Sequence, residues 1–201
     1  NLLEVFYVWQ GGMSFHGGLI GVATASCLFF RKNSVPLRSG ADLLALGTPI
    51  GLGLGRVANF VNDELWGRVT DVPWGVIVTS PDSTSVCEEI TGPCIRHPSQ
   101  IYEALLEVLI LFTLMMYFAF RKNGFKKPGF LAGIFLTGYG LSRCFVELFR
   151  QPDQQFQSVK NPMGFFIQLG ETGITMGQAL SLPMIVIGII LFVTSKRSDP
   201  A

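Results

Sequence analysis

Five long apolar runs govern what this chain can fold into: Met13–Phe30, Ala41–Gly55, Ile101–Phe120, Phe130–Phe149 and Ala179–Thr194. A helix that crosses a bilayer needs about 20 mostly apolar residues, and helix is the form in which one segment satisfies its own backbone hydrogen bonds without water. The first, third and fourth runs have that length, and the fifth reaches it when extended over Met176–Ser195. The second is shorter and rich in glycine (Gly47, Gly51, Gly53, Gly55), which membrane helices tolerate because small residues let helices pack closely. Only 14% of the 201 residues are charged, against about 25% in ordinary soluble domains. A soluble surface of this size could not be solvated by so few charges. The sequence therefore predicts an all-α polytopic membrane protein with five transmembrane helices, residues 1–201 forming a single membrane domain.

Charge placement predicts its orientation. Arg31, Lys32 and Arg38 lie between runs one and two; Arg121, Lys122, Lys126 and Lys127 lie between runs three and four; Lys196 and Arg197 follow run five. If the helices alternate, these nine of the 15 basic residues share one side, which the positive-inside rule makes cytoplasmic. The opposite, periplasmic side receives the chain start, the segment 56–100 and the loop 151–175. With 15 basic against 14 acidic residues the net charge is +1, so no basic field exists to grip nucleic acid.

Residues 57–100 read as a small periplasmic head inserted between spans two and three. The segment from Arg56 holds six of the 14 acidic residues, the turn-makers Pro73, Pro81 and Pro93 and two tryptophans, and Val72–Thr79 reads as a short apolar strand. Cys87 and Cys94 would face an oxidising compartment, where a disulfide and two free thiols are both open readings. Cys27 and Cys144 sit inside spans and read as small apolar fillers. No spacing of Cys or His suggests a metal, and no cofactor is expected. The first stretch from Asn1 is neither a signal peptide nor an obvious span, so further helices are expected before it.

Polar groups at membrane depth are costly and mark the places to seek chemistry. Four stretches qualify. In Trp9–Gly18, His16 opens a span between glycine pairs, either as an interfacial hydrogen-bonder or as a titrating group close to a ligand. In Gly55–Arg68, helical continuation would put Arg56, Asn59 and Asp63 on one face, an array suited to phosphate oxygens; the bland alternative is an anchor in which Arg56 snorkels and Trp66 marks the headgroup level. In Arg96–Glu107, Pro98 or Ser99 can start a helix, and Glu103 and Glu107 lie four apart on one face, where a carboxylate needs a partner. Ser99 and Gln100 read there as caps. In Arg143–Asp153, spacings of four and three place Arg143, Glu147 and Arg150 on one stripe, with Glu147 between two guanidiniums; a structural ion-pair ladder is the alternative.

Both arginine groups fall near the outer headgroup level, which points to an anionic phospholipid headgroup. Gly55-Arg-Val-Ala-Asn-Phe-Val-Asn-Asp-Glu-Leu-Trp-Gly67 resembles, position for position, the signature of the prolipoprotein diacylglyceryl transferase family. Trp9–Gly18, His97–Glu103 and Arg143–Asp153 resemble three further family blocks in the right order, so the likeness covers essentially the whole chain. It implies an enzyme of the bacterial inner membrane that moves the diacylglyceryl group of phosphatidylglycerol to the lipobox cysteine thiol of a preprolipoprotein. A thioether forms and glycerol phosphate leaves. By the same resemblance Arg56 and Arg143 are the essential arginines and His16 the family's histidine, with Arg56, Asn59, Asn62, Glu64, Gly67, Tyr102, Glu103, Glu147 and Arg150 as substrate-binding positions. His16 is the candidate base for the thiol proton. Family members carry further helices before Trp9, including a tyrosine of the first span, so the chain is expected to be a piece of a seven-helix protein. Two rival classes are a small-solute transporter, which should show paired repeats or broken helices, and a lipid-binding membrane subunit that turns nothing over.

Overall fold

The computed structural model describes residues 15–79, 81–87, 92–151, 161, 163–170 and 172–197. Five helices of 17 residues or more account for most of them: α1 (Phe15–Lys32), α2 (Leu37–Val61), α3 (Ser99–Arg121), α4 (Phe130–Val146) and α5 (Met176–Thr194). Among the described residues α2, α3 and α5 are long and apolar enough to cross a membrane, and α4 is a shorter apolar helix. Large apolar side chains such as Leu28, Leu54, Leu109, Ile110, Ile190 and Val193 stand exposed along them. Exposed apolar surface on this scale is what lipid, not water, covers. The chain is a mostly helical membrane protein.

Run two ends at Gly55, yet α2 continues through Arg56 to Val61 before Asn62 closes it. Hydropathy stops at the first charge; the backbone ladder does not, because Arg56 finds a buried partner. The helix of the fifth run begins at Met176, where the extended run does, and a capping box fixes that start. The Thr175 hydroxyl accepts from the Gln178 amide at 3.3 Å, and the Gln178 side chain takes the Thr175 amide at 3.2 Å. Two stretches of α3, Leu105–Phe112 and Tyr117–Arg121, are π-helical.

Successive helices run antiparallel. The end of α2 meets the start of α3, with Val108 and Ala104 against Gly53. Gly138 of α4 takes Leu111 of α3. Gly133 and Gly188 mark the seam between α4 and α5, where an added Cβ on Gly133 would lie 2.7 Å from the Phe192 nitrogen and 2.8 Å from the Gly188 carbonyl. Backbones approach this closely only where a side chain is missing. The buried core between these helices is Ala45, Leu111, Met115, Ala119, Phe130, Leu131, Ala132 and Ile134.

The two ends of the bundle differ. At one end Arg38 reaches the Thr194 carbonyl (3.5 Å) and packs near Gly129, so the basic connections around Arg38, Lys126 and Lys196 lie together. There the Asp42 carboxylate, 1% exposed, accepts from the Gly129 and Ala132 amides at 2.8 Å each and caps α4 from a neighbouring helix. At the other end Trp74 donates to the Tyr102 hydroxyl at the start of α3 (2.7 Å).

The segment between α2 and α3 is small. Its expected strand shortens to β1 (Val76–Ile77), paired antiparallel with β2 (Ile95–Arg96). Cys87 and Cys94 are joined in a disulfide and pack with Trp66 and Val78. Trp66 is therefore no headgroup marker: its ring is buried against Phe60 (5.4 Å), and its indole N–H donates to Asp63. A second hairpin, β3 (Ile167–Leu169) with β4 (Thr172–Ile174), precedes α5.

Candidate active site

The charged stretches converge on one carboxylate. Glu103, on the first turn and a half of α3 and only 4% exposed, takes Arg56 Nε from α2 at 2.5 Å and Arg143 from α4 at 2.6 Å. Arg150 stands 3.7 Å from the same carboxylate, and Glu147 binds the other amino group of Arg143 at 2.9 Å. Each Arg reaches inward because its helix ends here, at Val61 for α2 and Val146 for α4. The guanidinium side chains keep 16–18% exposure while Glu103 keeps 5% and Glu147 10%. Carboxylates thus form the back of the cluster and cations its accessible face. Arg56 engages Glu103 through Nε, so its terminal nitrogens are available to other partners.

The expected stripe of Arg143, Glu147 and Arg150 holds for its first pair only. The helix stops at Val146, Glu147 is its cap, and Arg150 swings out to pair its backbone with Gly67. Glu103, not Glu147, is the carboxylate shared between guanidiniums. Burial and the neighbouring Arg143 lower the basicity of Arg150, against the opposing pull of Glu103 and Glu147. Likewise Asp63 leaves the Arg56 face: the chain turns at φ 58° there, beyond the end of α2, and the carboxylate faces Trp66 instead.

The loop after α2 is stitched to the start of α3. Ser99 and Gln100 do not cap α3; they donate to the carbonyls of Leu65 (3.1 Å) and Glu64 (2.6 Å). Gly67 is clamped, with its amide on the His97 carbonyl (2.9 Å), and a Cβ there would lie 2.6 Å from the His97 and Phe149 carbonyl oxygens. Any larger residue would push this loop away from Arg150. Arg68 ties the same loop to the Arg150 carbonyl at 3.1 Å, and burial lowers its basicity.

Other predicted positions are placed as follows. Asn59 is half-buried one turn beyond Arg56 on α2. Asn62 and Glu64 are exposed and bonded to each other at 3.2 Å. Tyr102 accepts from Trp74, lies 3.1 Å from His97 Nδ1 and packs edge-on against Phe149. Burial shifts the His97 imidazole below its ordinary value, which favours the neutral ring. His16 belongs to the first turn of α1, but its side chain, Trp9 and the rest of its block through Ser14, and Asp153 lie outside the described residues.

Two residues at the site, Tyr139 and Gly177, are not singled out in the sequence, whereas Glu107 reads there as a carboxylate that needs a partner. Tyr139 of α4 faces Arg56, yet in sequence it is one more aromatic in an apolar run. Glu107 is 2% exposed one turn below Glu103. Gly177 of α5 leaves the hollow that Glu147 fills, since a Cβ there would lie 2.6 Å from the carboxylate.

The family model described as prolipoprotein diacylglyceryl transferase matches residues 1–194. The chain belongs to the prolipoprotein diacylglyceryl transferase family. It is 52% identical over all of its 201 residues to a phosphatidylglycerol–prolipoprotein diacylglyceryl transferase of Ruegeria pomeroyi, covering 68% of that protein. The enzymes of the same name from Roseobacter denitrificans and Mesorhizobium japonicum are each 50% identical, over 98% and 96% of this chain and 67% and 61% of their own length. Neither rival class, transporter or inert lipid-binding subunit, is favoured by these relationships.

Proposed function

We infer that this chain is a transferase that moves the diacylglyceryl group of phosphatidylglycerol onto the lipobox cysteine of a preprolipoprotein. Membership of the family carries the activity, and one observation supports the site: three partly open guanidiniums held by one buried carboxylate at the end of the bundle away from the basic connections. In the reaction the cysteine sulfur forms a bond to the terminal glyceryl carbon, and that carbon's bond to the phosphate oxygen breaks. Glycerol phosphate leaves with the electron pair. Charge develops on the phosphate as it departs, and preorganised guanidiniums stabilise it without reorganising. Arg56 and Arg143 act on the phosphate, Arg150 supports them, and Glu103 and Glu147 fix their orientation. Asn59, Asn62, Glu64, Gly67 and Tyr102 form the rim on which the headgroup glycerol and the lipobox peptide rest.

The same reading makes all five helices membrane spans, with the residues 57–100 as a periplasmic head and the site towards the periplasm. The shared position of Arg38, Gly129 and Thr194 at one end supports the alternation, and the positive-inside rule makes that end cytoplasmic. A disulfide on the opposite side agrees with an oxidising compartment. The multi-pass protein of the bacterial inner membrane thus meets both substrates, phosphatidylglycerol and lipobox peptide, from the outer leaflet.

The deciding experiment is the mass shift of a lipobox peptide incubated with phosphatidylglycerol vesicles and the reconstituted full-length enzyme. Thioether product is expected; lipid binding without product, or solute flux, overturns the assignment. On the same assay Arg56→Lys should lose most activity at every pH, because a point charge replaces a planar fork. If His16 takes the thiol proton, the parent loses activity as acid protonates the imidazole, and His16→Gln abolishes that limb while alkali partly restores turnover by forming thiolate directly. An unchanged acid limb in His16→Gln removes His16 from the base role.

A further inference from the structure

Among the described residues of the buried cluster, Glu107 is the one carboxylate that no ion pair explains. It lies one turn below Glu103 on α3, in the π-helical stretch, and is 2% exposed. Its Oε2 is buried with no hydrogen-bond partner among the described residues. Arg56 of α2, Arg143 and Tyr139 of α4 and Glu103 of its own helix are the charged and titratable groups that face it. Both nearby guanidiniums are engaged elsewhere, Arg56 and Arg143 with Glu103 and Arg143 also with Glu147.

An ionised carboxylate in that position would keep one oxygen bare at membrane depth and stand four residues from the negative charge of Glu103. Burial above all, and then Glu103, disfavour the charged form, against the opposing pull of Arg56 and Arg143. Charge balance points the same way. Arg56, Arg143 and Arg150 against Glu103 and Glu147 leave a single positive charge. A lipid phosphodiester carries a single negative charge, so the cluster and the headgroup match when Glu107 is neutral. Were Glu107 ionised, the ion-paired cluster would already be balanced and would have no net attraction of its own left for the lipid.

We propose that Glu107 is a positioning residue that sets the charge of the arginine cluster, carrying its proton while the site holds a lipid phosphodiester and weakening that hold when it ionises. This rests on the phosphatidylglycerol reading of the site. It adds a control that neither the signature nor the ion pairs contain: the affinity for lipid, as distinct from the turnover of the thiol, falls as Glu107 loses its proton.

The test compares the full-length parent with Glu107→Gln, a neutral isostere, in phosphatidylglycerol vesicles between acidic and alkaline pH. The apparent KM for lipid should climb in the parent as pH rises and stay flat in E107Q. At the alkaline end the variant should then bind lipid roughly tenfold more tightly than the parent. The infrared carbonyl band of a protonated carboxylic acid should be present in the parent at neutral pH and lost in E107Q. Where that variant does not fold, Glu107→Asp keeps the acid and should shift the band. Superimposable KM profiles, a KM raised by E107Q at every pH, or a band untouched by both variants each overturns the proposal. The band is read without substrate, so a protein that makes no thioether would fail the transfer reading while still reporting the state of Glu107.

Discussion

Each end of this helix bundle buries a carboxylate, and the two are satisfied by different chemistry. Asp42 takes two backbone amides, Gly129 and Ala132, at the start of α4. Glu103 takes side-chain cations from two other helices and the turn after α4. Backbone amides have no further use once bonded, so Asp42 closes an account between two helices and does nothing else. A guanidinium has five donors, so a carboxylate that engages one or two of them aims the rest. The first arrangement is a fastening, and the second holds cations ready for another anion.

Glu103→Gln should break that contrast most severely. Removing one partner of a buried ion pair costs about 3–5 kcal/mol because the other charge is stranded, and here the stranded charges are the arginines proposed to meet the lipid phosphate. Thioether formation should fall by about 100-fold or more, with weaker binding to phosphatidylglycerol vesicles. A variant of parental activity would show that the arginines need no shared hub.

Asp42→Asn should do the opposite. The amide keeps one acceptor and leaves either the Gly129 or the Ala132 N–H without its bond, at about 1–3 kcal/mol. Thermal unfolding in detergent should move down while KM and kcat for both substrates stay near those of the parent. Loss of turnover in the fully folded variant would mean that the two ends are coupled.

The smallest effect concerns His97, which lies on the Glu103 side. Burial holds its pKa below the ordinary 6.5, so the unfolded chain binds the proton first as pH falls. Stability from the neutral ring is complete above that value and declines as pH drops through and below it. Unfolding temperatures measured across mildly acidic pH should show this slope in the parent and a shallower one in His97→Gln. Equal slopes would assign the acid sensitivity to other groups.

What the sequence shows of this site follows the range of each interaction. Arg143 and Glu147 are four residues apart on one helix, and their pairing is legible from spacing. The pairing of Arg56 with Glu103 spans 47 positions and depends on α2 and α3 running antiparallel, which no local pattern encodes. Helix content was legible from apolar runs, but ends at charged residues were not: Arg56 extends α2 past its apolar run, while α4 stops before Glu147. Trp66 reads as an interfacial anchor by type, yet the disulfide and Val78 give it a core to enter. Tyr139 and Gly177 are invisible for a simpler reason. One looks like any aromatic in a span and the other acts through the side chain it lacks.

The disulfide has a chemical consequence for an enzyme whose business is alkylating cysteine. Such a catalyst carries a hazard in its own sequence, because any reactive thiol near the lipid is a rival acceptor. Cys87 and Cys94 lie in the segment proposed to face that side and are spent on each other, 7% and 6% exposed. A disulfide has no thiolate to offer. The bond that holds Trp66 and Val78 in place also withdraws both sulfurs from competition, which leaves the incoming lipobox cysteine unopposed by that pair.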